Sequence, residues 1–168
     1  NVTIPKGATI EDVRIQLYVP YISGTSGQTA ATQIYFENSA NPQNYASATF
    51  ARRDRSRTSG FVWLNLTRDF SPLNVFYNTS NMASVFQELY SLYNYESGAP
   101  VAVIHLANLT TTSPDAAFNL ETYDSNPLKA PKLYIAYTIV TSTKDTTPPQ
   151  RLSGLPTGNL TSGTTGTN

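Results

Sequence analysis

Few side chains in this sequence are placed to do chemistry. The single histidine, His105, lies inside the apolar run Val101–Ala107. As a general base it would need a nucleophile and an orienting acid beside it, and no nucleophile-elbow motif accompanies it. A strand histidine, packed or hydrogen-bonded within a sheet, explains the same residues. Glycoside cleavage needs two carboxyl groups facing each other across a groove. Glu88, Glu96, Asp115, Glu121 and Asp124 supply acids, but no spacing among them singles out a pair. Cysteine is absent, which excludes thiol catalysis and zinc sites of the cysteine type. The chain therefore reads as non-enzymatic, with no catalytic residue and no cofactor expected. Loop oxygens need no motif to hold calcium, so a structural calcium ion at Asp124, Asn126 and nearby carbonyls stays open. An Asx-type turn explains those residues too.

Binding chemistry has better candidates. In Phe61–Leu66 the residues Val62, Leu64 and Leu66 share one face of a strand, and Phe61, Trp63 and Asn65 share the other. If the aliphatic face is the core, Phe61 and Trp63 point outward beside a polar amide. Aromatic rings beside polar handles stack well on sugar rings. The competing reading covers them with a helix or loop. Arg52, Arg53, Arg55 and Arg57 form the one charge cluster. They suit an acidic polysaccharide or a phosphate-rich surface. A solvated loop partly neutralised by Asp54 is the alternative. Acceptor sequences for N-glycosylation occur at Asn1, Asn65, Asn78, Asn108 and Asn159. A glycan on Asn65 would crowd a sugar platform at Trp63.

The elements that position these residues follow from composition and periodicity. With 39% apolar residues, 13% charged residues and a net charge of +0, the chain can bury a core and lacks the basic excess of nucleic-acid binders. No apolar run is long enough to span a membrane. Low charge with abundant Thr, Ser, Asn and Tyr leans towards an extracellular or cell-surface protein. Val13, Ile15, Leu17 and Val19 alternate with Arg14, Gln16 and Tyr18, as a half-buried strand does. Leu133, Ile135, Tyr137 and Ile139 repeat the pattern, and shorter strands fit 32–36, 61–66, 101–107 and 117–122. Turn residues at Ser23–Gly27 and Asp124–Pro127 separate them. Between Asn81 and Tyr93 the period changes: Met82, Val85, Phe86, Leu89, Leu92 and Tyr93 define one helix face. Thr79 or Ser80 is the expected cap. The expectation is an all-β, antiparallel, jelly-roll-like β-sandwich over 1–140 with one short α-helix. Residues 141–168 are rich in Thr, Ser, Gly and Pro and read as a linker.

Four motifs, in order, carry a resemblance. Asn1–Ile10 resembles the "IPxGATI" opening of an uncharacterised β-sandwich module of large secreted bacterial and archaeal proteins. Val85–Leu89 resembles its "V-x-Q-E-hydrophobic" helix, and Gly98–Val103 its "sGnalal" strand. Thr122–Leu133 is similar to its "SYDGdPskAPkL" turn and final strand. The resemblance covers about residues 1 to 140 and implies a jelly-roll-like sandwich beside immunoglobulin-like, fibronectin-like or lectin-like domains. Related modules of the disaggregatase-repeat type are taken to bind polysaccharide. It assigns no catalytic residues. Two departures stand out: strand sequence normally precedes the opening motif, and Asn94, Tyr95 and Glu96 replace the usual "rpGW" after the helix. The tail 145–168 resembles a linker leading into a fibronectin-like domain.

Together these readings predict an extracellular module that presents a sandwich surface to polysaccharide or to a cell-surface protein. A different class is also compatible: a filament subunit that self-assembles when a neighbour's segment fills an open sheet edge. Asn1–Ile4 is the better candidate donor strand, because the tail alternates only weakly.

Overall fold

The computed structural model of the protein describes residues 1–43, 54–67, 72–108, 110, 112–113 and 115–139. The expected linker over 141–168 lies outside them, as do Arg52, Arg53 and Asn159. The chain forms β1 (Ala8–Val19), β2 (Tyr21–Ser23), β3 (Thr29–Phe36), β4 (Val62–Thr67) and β5 (Val75–Asn78). A single helix, α1 (Ala83–Leu92), follows. The chain then adds β6 (Val103–Ala107), β7 (Ala117–Asn119) and β8 (Lys132–Ile139). One antiparallel sheet has the order β5-β1-β8, a second β4-β3-β6, and β2 pairs with β7. The architecture is the expected all-β, sandwich-like one with a short helix. β2 and β5 are additions to the sequence reading.

The core lies between the two three-stranded sheets. Val13, Ile15 and Leu17 of β1 and Ile34 and Phe36 of β3 meet in it, each 2% exposed or less. Helix α1 contributes Val85, Phe86 and Leu89 and packs against both β1 and β3. The Phe36 and Phe86 rings meet edge to face with centroids 5.4 Å apart. A second, smaller cluster gathers Val19, Ile22 and Leu66 near the β2–β7 pair.

The inward set of β1 changes phase along the strand. Ala8 and Ile10 are buried at even positions, whereas Val13, Ile15, Leu17 and Val19 are buried at odd ones. A bulge between Ile10 and Asp12 in the pairing with β8 absorbs the extra residue, so both sets reach the core. On its other side β1 is paired by β5 only from Gln16 to Val19, and beyond that point neighbouring side chains satisfy its backbone groups. Val13 N donates to Asn81 Oδ1 at 3.1 Å, and Asn81 Nδ2 donates to Glu11 O at 3.1 Å. Asn81 Oδ1 also accepts from Ala83 N at 2.8 Å, at the first turn of α1. Thr79 is occupied elsewhere: its Oγ1 accepts from Ile15 N at 3.1 Å. Neither Thr79 nor Ser80 caps the helix as expected: the N-cap is Met82, which makes no side-chain cap bond, and Thr79 continues the β5 edge along β1.

The opening segment is docked by the same logic. Val2 and Ala99 exchange backbone hydrogen bonds of 2.8 and 2.9 Å, and Ile4 N donates to Tyr95 O at 3.0 Å. Ile4 is 1% exposed. Tyr90 Oη donates to Pro5 O at 2.7 Å and accepts from Ala8 N at 2.9 Å. Gly7 turns the chain into β1 with φ of 78°, a conformation that favours glycine.

Replacing Asn81 by alanine leaves both Val13 N and Ala83 N, at the start of α1, without their side-chain acceptor. Urea unfolding of Asn81→Ala is expected to show a loss of about 2–3 kcal/mol. Asn81→Asp keeps the acceptor and is expected to lose about half as much.

Candidate functional site

Strand β4 is aimed by the segment before it, and that segment is held on several sides. Thr58 N donates to Phe36 O at 3.0 Å, and Phe36 N donates to Thr58 Oγ1 at 3.2 Å. Arg55 reaches inward to Glu37, with Nη1 and Oε2 2.6 Å apart and both side chains buried. Glu88 on α1 caps the last turn, its carboxylate accepting from Ser59 N at 2.7 Å, Ser59 Oγ at 3.0 Å and Gly60 N at 2.8 Å. A Cβ on Gly60 would stand 2.9 Å from Glu88 Oε1, so glycine permits this approach. Burial pushes the Glu88 carboxyl up, but the hydrogen bonds from Gly60 and Ser59 outweigh it and hold the group below its ordinary value.

The parity expected of β4 is what the strand has. Leu66 is buried, while Phe61 and Trp63 are 37% and 41% exposed. The Phe61 and Trp63 rings stand edge to face with centroids 5.5 Å apart. Register extends this face onto β3, where Gln33 lies opposite Trp63 and Ala31 opposite Asn65. The Tyr35 ring centroid lies 5.2 Å from that of Phe61, and Tyr35 Oη donates to Gln33 Oε1 at 3.1 Å. Arg57 Cζ lies 5.2 Å from the Tyr35 ring centroid, a cation–π contact at the rim. The result is an exposed aromatic step with amides of Gln33 and Asn65 and a guanidinium beside it. Sequence reasoning missed Gln33 and Tyr35. Their alternation with Ile34 and Phe36 is the signal that places them on the outer side.

Arg55 is the correction within the arginine cluster. It is 8% exposed, and its guanidinium is committed to Glu37 and to Gln43 O at 2.9 Å. A buried, paired arginine holds the loop and presents no charge to a ligand. Of the acceptor asparagines, Asn1, Asn65 and Asn78 are exposed, and Asn108 is half-buried with Oδ1 accepting from Thr110 N at 2.9 Å.

The remaining chemical candidates are dispersed. Glu88 is committed to its turn, Glu96, Asp115 and Asp124 are exposed, and Glu121 accepts from Ser125 Oγ at 2.7 Å. Asn126 Oδ1 accepts from Leu128 N at 3.1 Å, the Asx turn that starts a single 3-10 turn over Pro127–Lys129. Among the described residues no cluster of three or more metal-ligating side chains occurs. His105 lies opposite Ile34 on the inward face of the β4-β3-β6 sheet, one position along β3 from Gln33 and therefore on the other side of the sheet from Trp63. Burial pushes its pKa down to about 4, so the ring is neutral at neutral pH.

Comparison with protein-family models, with curated proteins and with solved structures finds no match to this chain. Among the described residues no helix is long and apolar enough to cross a membrane.

Because the Glu88 carboxyl is held down in the folded protein, its contribution is complete above the unfolded value near 4.5 and is lost as pH falls through the folded one. The stability gap between the parent and Glu88→Gln is expected to be about 1 kcal/mol at pH 7, discounted for exposure. Urea midpoints measured from pH 7 downward are expected to converge only below about pH 4.5.

Proposed function

We propose that this chain is a non-enzymatic, extracellular β-sandwich module that binds carbohydrate or mediates cell-surface adhesion within a larger protein. The observation that carries the reading is the exposed step of Phe61 and Trp63, flanked by Gln33, Asn65 and Arg57. An aromatic face of this size left in solvent offers apolar stacking area, and the adjacent amides offer hydrogen bonds to ring hydroxyls. Low charge, dispersed acids and the motif resemblance support a secreted module that binds and does not catalyse. Arg57 adds a preference for acidic sugars through a charge at the rim.

Trp63 is the only tryptophan, so its emission reports on the proposed face directly. Titration with a panel of neutral and acidic soluble polysaccharides is expected to give a saturable change in that emission for at least one of them. Trp63→Ala is expected to weaken binding, read by calorimetry, about tenfold or more. The same change is expected to cost below about 1 kcal/mol of stability, because the ring is half exposed. Undiminished affinity in Trp63→Ala would remove the face from the reading.

A second reading, a filament subunit assembled by strand addition, is favoured by β8. This strand is the outermost of its sheet, pairing with β1 alone among the described residues. Tyr137 and Ile139 lie opposite the buried Ile10 and Ala8, on the core side, yet are 38% and 47% exposed. An unpaired edge with apolar groups uncovered is a template for another strand. Asn1–Ile4 is engaged within its own chain, at Ala99 and Tyr95, and is a poorer donor than its sequence suggests. Light scattering is expected to show polymers under this reading, and Tyr137→Lys with Ile139→Lys is expected to return them to monomer. A monomer at high concentration sinks it.

A further inference from the structure

On the inner side of the β4-β3-β6 sheet lies a pocket of about 420 Å³, open to solvent and separate from the Trp63 face. Ala30 and Thr32 of β3 and His105 and Ala107 of β6 form one wall. Ala116, Ala117, Phe118 and Leu120, on and around β7, form the other. The void has a plain cause. Further along β3 the same inward face carries Ile34 and Phe36, which fill the space between the sheets. Where β3 and β6 face β7, alanines stand at the corresponding places and nothing large takes up the volume. The cleft opens to solvent, and alanine methyl groups make up much of its lining. Its volume lies within the range of small-molecule sites.

Polar capacity in the pocket is nearly all committed. Thr112 Oγ1 accepts from Ala31 N at 3.2 Å and donates to Ala31 O at 3.1 Å. Thr32 Oγ1 donates to Leu64 O at 3.4 Å. The His105 ring has no hydrogen-bond partner among the described residues. A neutral imidazole offers one donor and one acceptor. We infer that this pocket is a second binding site, for a small uncharged apolar ring that carries a single hydroxyl, with the hydroxyl docked on His105.

The chemistry selects that class against its neighbours. A sugar would bury several hydroxyls against alanine and Phe118, and each one left unpaired costs about 1–3 kcal/mol. A carboxylate or ammonium would lose its hydration with no opposite charge among the lining residues. A hydrocarbon would fit the walls but leave the imidazole without a partner. An aromatic or alicyclic alcohol satisfies both, with Phe118 as the flat wall for its ring. This proposal does not depend on the carbohydrate reading, since none of Gln33, Phe61, Trp63 and Asn65 lines the pocket.

The test uses phenol as the probe and the full chain as the protein. His105 is the only histidine, so the Cε1–H group of its ring gives an assignable proton–carbon signal in the NMR spectrum. Phenol is expected to move that signal saturably while leaving the Trp63 emission unchanged. Benzene, which lacks the hydroxyl, is expected to bind about tenfold more weakly. Ala107→Leu and Ala116→Leu fill the pocket from its less buried side and are expected to abolish the phenol response, with urea midpoints near the parent's. A shift that stays linear up to the solubility of phenol, or that survives both leucine variants, overturns the site. Equal affinity for benzene and phenol overturns the role of His105.

Discussion

The rest of the structure depends on how the backbone of β1 is satisfied. This strand runs through the centre of its sheet, so a donor left open in it would be open in the core. β8 pairs it on one side from Ala8 to Gln16, across the bulge. On the other side β5 pairs only Gln16 to Val19, after which side chains take over. Thr79 accepts from Ile15, and Asn81 accepts from Val13 while donating to Glu11. The chain that lays these groups along β1 then enters α1, whose first residue, Ala83, donates its N–H to Asn81 Oδ1. One asparagine thus joins strand pairing to helix position. Because α1 carries Glu88, and Glu88 holds the turn before β4, the aim of Trp63 follows from the same joint.

A single sheet serves two purposes by alternation. On its inner side Ile34 and Phe36 build the core and Ala30, Thr32, His105 and Ala107 leave a pocket. On its outer side Gln33, Phe61, Trp63 and Asn65 form an exposed aromatic step with amides. A period of two keeps these sets apart, and a one-residue slip in the pairing of β3 and β4 would exchange them. Such a slip is opposed at the start of β4. The Glu37–Arg55 pair, the Thr58–Phe36 exchange and the Glu88 cap fix where the strand begins. The buried ion pair is better understood as fixing register than as a source of net stability, since desolvation cancels most of its attraction.

Much of this was legible in the sequence, and the rest failed for physical reasons. Alternation in 13–19 and 61–66 gave the strands and the outward parity of Phe61 and Trp63. The 3.6-residue spacing of Val85, Phe86 and Leu89 gave the helix. The bulge was written as a change of phase between Ile10 and Val13, which a reading that starts at Val13 does not meet. β5 was hidden because Val75, Phe76, Tyr77 and Asn78 show no alternation in burial, as is usual at a sheet edge. Arg55 was misjudged because its partner Glu37 lies 18 residues away in sequence, and a charge cluster looks solvated until the fold buries one member. The pocket had no sequence signal at all, since alanines on two strands make a void only when they face each other.

The motifs behind the resemblance lie at structural joints. Ile4, Pro5 and Gly7 dock the opening segment against Tyr90 and Tyr95. Glu88 caps the turn before β4, Ala99 pairs with Val2, and Asn126 starts the turn that leads into β8. None of these residues lines the pocket, and none lies on the Trp63 face. Residues at joints are constrained by backbone hydrogen bonds and close approach, which are the same whatever the surface binds. A likeness confined to them therefore bears on how the chain folds. Ligand choice lies in the alternate positions of β3, β4 and β6, where side chains can change without disturbing a joint. Two proteins sharing these motifs would then share the scaffold and differ in what Trp63 and His105 contact.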